Sequence, residues 1–370
     1  MNTAEIRDKV AVVGVGNGAY GNFPEYDDYA QMAIAFKQAL DDAGLKKEQI
    51  DGLITHRLPL YTRAAEVLGI NPDYVVPLLR HGRMCGVGVQ NAVIALACGQ
   101  AKYVALVYGN NGRSVRDLYG GGDGLWAPFG MSSPGAEHAL LYDRYRQRYG
   151  VTPEKLATIA MTFRRHAQLN PAAVMKKPLT LDDYLAARFV VEPLRLFDYC
   201  LINDGAVVMI LTTADRARDL KKPPVYVSAV ATATNLATFS TPPTDYWRAA
   251  MARIRDRIYP MAGITRADLS GLMIYDNFSP NVLYTLEGYG FCAEGEAPDF
   301  IRGGRIGLGG PLPTNTNGGH LSESYMQGWA LNAEAVRQLR HECGDRQIKD
   351  AAHIQYMCTA GICSSIIYRR

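Results

Sequence analysis

Apolar residues run along this chain in two alternating rhythms. Residues 9–18 (KVAVVGVGNG) form an almost unbroken apolar run closed by glycines, the pattern of a buried strand. After Tyr29 the apolar positions Ala30, Met32, Ala33, Ala35, Phe36, Ala39 and Leu40 recur at helical spacing, and Gly44 supplies the stop. A second short strand is predicted at 52–55. Residues 83–109 (RMCGVGVQNAVIALACGQAKYVALVYG) predict a small-residue helix beginning at Cys85, then a buried strand over 103–108. Strands alternating with helices predict an α/β protein with a largely parallel sheet.

The pattern also repeats. AGLKKEQIDGLIT (43–55) recurs as AGITRADLSGLMI (262–274), each copy preceded by a Val-rich strand and a helix. The chain therefore reads as a duplication, with an N-terminal half over 1–220 and a C-terminal half over 223–370 joined at Lys221-Lys-Pro-Pro224. Within the first half, about 110–190 is an insertion. Its glycine-rich start (GGGDG at 120–124), with Trp126 and Phe129, reads as a lid or an ordinary excursion. Residues 137–185 are helical in pattern and place Arg144, Arg146, Arg148, Arg164 and Arg165 on polar faces, solvated or beside a phosphate.

Composition narrows the classes. Among 370 residues, 48% are hydrophobic and 20% charged, which argues for a folded core and against disorder. A net charge of +3 without basic runs excludes nucleic acid as the natural partner. Seven cysteines without a CxxC pair argue against a disulfide framework and against a metal held by this chain. With neither a secretory leader pattern nor a membrane-length apolar stretch, a cytoplasmic protein is expected.

Two places carry candidate chemistry. A thiol at a helix N-terminus gains from backbone N–H groups and the helix dipole, which would favour a thiolate at Cys85; against that, most buried cysteines are inert. Tyr275 and Asp276 end a predicted strand, where ligands gather in α/β sheets. Asp276 would orient a water or Tyr325, or cap the helix that follows. His81, His138 and His166 are read as structural.

Four stretches resemble the thiolase superfamily, and within it the sterol-carrier-protein-x and lipid-transfer-like branch. CGVGVQ at 85–90 is similar to the nucleophile motif CxxGxQ; NTNGGHLSESY at 315–325 is similar to the NGGxxxxGHP loop. RHAQLNPA (165–172) and PLRLFDYCLINDGA (193–206) resemble branch segments, and CTAG at 358–361 resembles the second cysteine motif. The resemblance implies a duplicated five-layer αβαβα fold. It also implies Cys85 as nucleophile, Cys358 as proton shuttle, and a substrate pocket that includes Asn317, Gly318, Gly319 and Gly361. Tyr325 stands where a thiolase carries histidine, so His320 is the candidate titrating group. Tyr275 with Tyr325 resembles the tyrosine pair of steroid side-chain aldolases, whereas the retained cysteines resemble benzoylsuccinyl-CoA thiolase, which works with a zinc-finger OB-fold partner. The leading expectation is thiolytic cleavage, or formation, of a bulky or aromatic β-ketoacyl-CoA in degradative β-oxidation, with coenzyme A as co-substrate and no other cofactor. The alternatives are a retro-aldolase acting on a β-hydroxyacyl-CoA and a non-catalytic acyl-CoA scaffold. A homodimer core is implied in each case.

Overall fold

The Val-rich opening run forms β1 (Val10–Asn17), enclosed on both faces, as an apolar run without alternation must be to stay out of water. The computed structural model describes residues 6–79, 82–117, 125–238 and 241–370. After β1 come α1 (Asp28–Ala43), β2 (Gly52–His56), α2 (Tyr61–Leu68), β3 (Tyr74–Leu78), α3 (Cys85–Ala97) and β4 (Tyr103–Asn111). The insertion supplies α4 (Pro134–Tyr149), α5 (Pro153–Gln168), α6 (Leu181–Ala186) and a hairpin of β5 (Phe189–Val191) and β6 (Leu194–Arg195). The chain returns as β7 (Asp204–Thr213), α7 (Ala214–Ala217) and β8 (Val225–Thr234). Then follow α8 (Arg248–Ala262), β9 (Gly271–Ile274), α9 (Pro280–Gly288), α10 (Ala297–Phe300), α11 (Gly319–Ser322), α12 (Trp329–Leu339), β10 (His353–Cys358) and β11 (Ile362–Arg369).

Among the described residues the long strands join in the order β3-β2-β4-β7-β1-β8-β11-β10-β9. The duplication is visible in that order. β2-β4-β7-β1 and β9-β10-β11-β8 each begin with a parallel pair followed by two antiparallel pairs. The halves meet in the sheet at Ala11↔Tyr226 and Val12↔Val225. The recurring sequence folds alike in both: Gly44 (φ 72°) and Gly263 (φ 71°) end α1 and α8 in the left-handed region, a single turn follows at Lys47–Gln49 or Arg266–Asp268, and then β2 or β9.

The expectation of a largely parallel sheet is corrected here. Strand–helix alternation holds only for the early part of each half. β7 returns after the insertion and slots antiparallel between β4 and β1, a direction that no local pattern encodes.

Packing follows from which faces are apolar. α1 and α2 cover one side of the first half, α3 and α12 lie between the two halves, and α8 and α9, with α4 and α5, cover the far side of the second half. That is the αβαβα order. The insertion is held by polar ties as well as by apolar packing. Arg164, predicted on a solvated face, is buried instead; its Nε donates to Ser322 Oγ (2.9 Å) and Nη1 to the Lys177 carbonyl (3.0 Å). His81 and the glycine-rich 120–124 lie outside the described residues, while Trp126 and Phe129 beyond them sit on a surface turn, 41% and 80% exposed. Among the described residues no helix is long and apolar enough to cross a membrane.

Candidate active site

β9 and β10 are parallel neighbours, so their C-terminal ends open on the same side, facing the start of α3. Tyr275 follows β9 and ties to β10 through its N–H to the Met357 carbonyl (2.8 Å). Cys358 closes β10, and Cys85 opens α3. Side chains two apart on a strand share a face, which puts Tyr356 beside Cys358.

Two tyrosines form the centre. Tyr275 OH lies 2.9 Å from Tyr325 OH, and both side chains are buried. The His320 ring stands edge-on to both, with centroids 4.5 and 5.1 Å away. Gly82 passes directly over the pair: a Cβ there would stand 2.8 Å from Tyr275 OH and 3.1 Å from Tyr325 OH, so no side chain fits. Arg83 follows with φ 79°, its guanidinium carbon 5.9 Å from the Tyr275 ring centre. Burial pushes Tyr275 well above its ordinary value and Tyr325 adds to the rise, while Arg83 opposes it.

The thiol side differs from the sequence expectation. Cys85 Sγ lies 2.8 Å from Tyr356 OH, with Asn332 Nδ2 at 3.7 Å, and Tyr368 OH donates to Asn332 Oδ1 (2.9 Å). Burial pushes the Cys85 thiol up to about 12, and the hydrogen bonds from Tyr356, Gly86 and Asn332 only partly offset it. The helix start was expected to deliver a thiolate; full desolvation outweighs it, because a charged sulfur there loses all its water. Cys358 is likewise buried and raised, further so by Cys85 nearby. Tyr356, Asn332 and Arg83 went unnoticed in the sequence. Only Tyr356 carried a local signal, its two-residue spacing from Cys358.

The glycine loop is a built element. Asp276 does cap a helix, though not the next one in the chain: its Oδ1 accepts from His320 N (2.9 Å) and Oδ2 from Leu321 N (3.3 Å), which anchors α11. Gly319, at φ 63°, leaves no room for a Cβ beside Asp276 Oδ2. His320 Nε2 accepts from Gly328 N (3.0 Å), and Nδ1 lies 3.4 Å from Asp276 Oδ1. Burial lowers His320 to about 3, so a neutral ring whose Nε2 is already occupied offers no base near pH 7. Asn317 is buried, its Nδ2 donating to Glu323 and its Oδ1 accepting from Gly319 N (3.1 Å). Gly318 packs its backbone against Ala167, and the Gly361 carbonyl accepts from Asn235 N (2.8 Å). Asn317, Gly318 and Gly319 thus hold the loop that presents Tyr325. Among the described residues no cluster of three metal-ligating side chains occurs.

This buried loop makes stability depend on pH. Burial raises Asp276 to about 7, and burial with Glu334 nearby raises Glu323 to about 8. The folded chain therefore keeps protons that the unfolded chain releases near pH 4, so this stabilisation is full below pH 4 and is lost as pH rises through 7 to 8. The melting temperature is expected to fall between pH 6.5 and 8.5. A rise over that interval would contradict the assignment.

Comparison with known proteins finds a matching family and relatives over most of the chain. The family described as thiolase C-terminal domain-like matches residues 232–367. The 17-hydroxy-3-oxo-4-pregnene-20-carboxyl-CoA lyase of Mycobacterium tuberculosis is 35% identical over 90% of this chain and 92% of its own length. A steroid side-chain-cleaving aldolase of Thermomonospora curvata is 33% identical, over 89% and 90%. The solved structure described as Ltp2-ChsH2(DUF35) aldolase superposes with a TM-score of 0.91 at 32% identity, covering 98% of both chains. Similarity to the benzoylsuccinyl-CoA thiolase subunit BbsB of Thauera aromatica is lower, 28% over 59% of this chain. The shared sequence over nearly the full length, the family match to the second half and the αβαβα layering lead to one conclusion: the chain belongs to the thiolase superfamily, in its sterol-carrier-protein-2-thiolase-like branch.

Proposed function

We propose that the chain is a carbon–carbon lyase that cleaves a β-hydroxyacyl-CoA by retro-aldol chemistry, with Tyr275 and Tyr325 as its acid–base pair. The observation that carries this reading is the 2.9 Å contact between their buried hydroxyls. One tyrosine oxygen takes the proton of the β-hydroxyl as a carbonyl forms there. The pair of electrons of the C–C bond moves to the α-carbon, giving the thioester enolate. The proton crosses the short tyrosine bond and returns to the enolate carbon, so the products are an aldehyde or ketone and a shortened acyl-CoA, with no net proton change. The similarity to proteins described as lyase and aldolase supports it.

The partner and setting follow from the same relatives. A separate DUF35-type subunit, of the zinc-finger OB-fold kind, is proposed to complete the enzyme around a homodimeric core, with a bulky, ring-bearing acyl-CoA as substrate in a degradative pathway. Thiolysis of a β-ketoacyl-CoA through Cys85, with Cys358 as shuttle, is the second reading; the nearness of the two thiols favours it.

The test uses the chain together with its DUF35-type partner. Incubation with a ring-bearing β-hydroxyacyl-CoA is expected to release a carbonyl fragment and a shortened acyl-CoA, and Cys85→Ala is expected to retain turnover. An acyl adduct on Cys85 by intact-mass spectrometry, with turnover abolished in Cys85→Ala, would replace this reading with thiolysis. Binding of CoA thioesters without any cleavage would leave a scaffold.

A further inference from the structure

We infer that Arg83 is a positioning residue whose unneutralised guanidinium sets the acidity of the Tyr275–Tyr325 pair, held in place by His138 of α4. The inference rests on the retro-aldol reading and adds to it a residue from outside the tyrosine and cysteine motifs.

Arg83 occupies the left-handed region at φ 79°, which non-glycine residues seldom adopt. Its Nη2 lies 3.3 Å from His138 Nε2. That histidine is buried and held well below its ordinary value by burial, with Arg83 adding to the effect, so the ring is neutral. Beside a guanidinium, Nε2 must accept, which leaves the proton on Nδ1, where no partner is found among the described residues. Stacking on Phe278 (4.2 Å between centroids) and contact with Trp247 (5.9 Å) keep the ring in that orientation.

A neutral acceptor orients the guanidinium without cancelling its charge. Arg83 Nε has no hydrogen-bond partner among the described residues. The guanidinium is half-buried with its Nε out of water, so an anion that forms beside it is favoured. The titratable groups that face it are Tyr275 after β9, Tyr325 after α11, Cys358 at the end of β10, Cys363 on β11, Cys200 before β7, and Glu137 and His138 on α4. Glu137 acts from a distance, its own value raised by burial and lowered by Arg83. Cys358 is driven strongly toward the neutral thiol. The tyrosine pair is where an anion arises during the proposed reaction, as tyrosinate or as the enolate beside it, and Tyr275 presents its ring to the guanidinium at 5.9 Å.

The test combines ultraviolet titration of tyrosinate in the chain alone with the pH dependence of cleavage by the chain and its partner. In Arg83→Gln the tyrosine ionisation that belongs to the pair, identified by its absence in Tyr275→Phe or Tyr325→Phe, is expected to move up. Cleavage near neutrality is expected to fall about a hundredfold, and the deficit to shrink as pH rises toward the ionisation of the pair. Arg83→Lys, which keeps the charge, should restore much of the acid limb, and His138→Phe should displace it in the same direction as Arg83→Gln. An unmoved tyrosine titration in Arg83→Gln, or a loss of activity equal at every pH, overturns the inference. Because the titration needs no substrate, wild-type protein that cleaves no β-hydroxyacyl-CoA would refute the proposed reaction while the tyrosine acidity is still decided.

Discussion

Replacing Tyr325 by phenylalanine is expected to lower cleavage of a β-hydroxyacyl-CoA by about a hundred- to ten-thousand-fold, the range a positioned acid–base group supplies. The substitution removes one oxygen. The ring, packed edge-on against His320 and Tyr275, stays, so KM should change little while kcat collapses. The cost in stability is that of one hydroxyl contact, about 1 kcal/mol. Tyr275→Phe should behave in the same way. Because the two hydroxyls work through one bond, the double variant should be little worse than either single one, as expected for groups that act as a unit. Steady-state kinetics on purified variants decide the matter: wild-type kcat in either single variant would remove the pair from the mechanism, and thiolysis through Cys85 would then be the surviving chemistry.

Asp276→Ala is expected to cost about 2–5 kcal/mol of stability, since each buried donor left without a partner costs roughly 1–3 kcal/mol. Two N–H groups lose their acceptor, those of His320 and Leu321, and His320 Nδ1 loses the carboxylate beside it. The damage should reach the site. α11 lies just before Tyr325, whose own N–H is fixed by Asn203 Oδ1 (2.8 Å), so a loosened α11 displaces the hydroxyl that meets Tyr275. Activity should therefore fall with stability, and Asp276→Asn, which keeps one acceptor, should lose less of both. Chemical denaturation of the three proteins measures the first effect. A midpoint unchanged in Asp276→Ala would show that α11 does not depend on this cap.

Local order was legible because local chemistry encodes it. The repeated Ala-Gly, single turn and Gly-Leu strand at 43–55 and 262–274 carry their own stop signal and apolar run, and they fold alike in both halves. The small-residue run after Cys85 announced a helix, whereas the loop at the NGG stretch was implied by its resemblance to the thiolase loop. Tyr275 and Tyr325 were singled out not by local pattern but by resemblance to the tyrosine pair of steroid side-chain aldolases, and the structure places their hydroxyls 2.9 Å apart.

What the tertiary structure alone decided concerns environment and direction. The antiparallel return of β7 depends on where an insertion of some eighty residues, about 110–190, delivers the chain, not on the strand's own apolar pattern. Arg164 has the sequence surroundings of a solvated residue and is nonetheless buried against Ser322. Asp276 caps a helix 44 residues further along rather than its neighbour. Cys85 sits at a helix start, where the dipole favours a thiolate, and is neutral because the rest of the chain removes its water. Residue type, periodicity and turn chemistry act over a few neighbours and can be read along the sequence. Desolvation and charge depend on every segment that packs against a group, and at Cys85, Arg83 and the tyrosine pair those segments come from opposite halves of the chain.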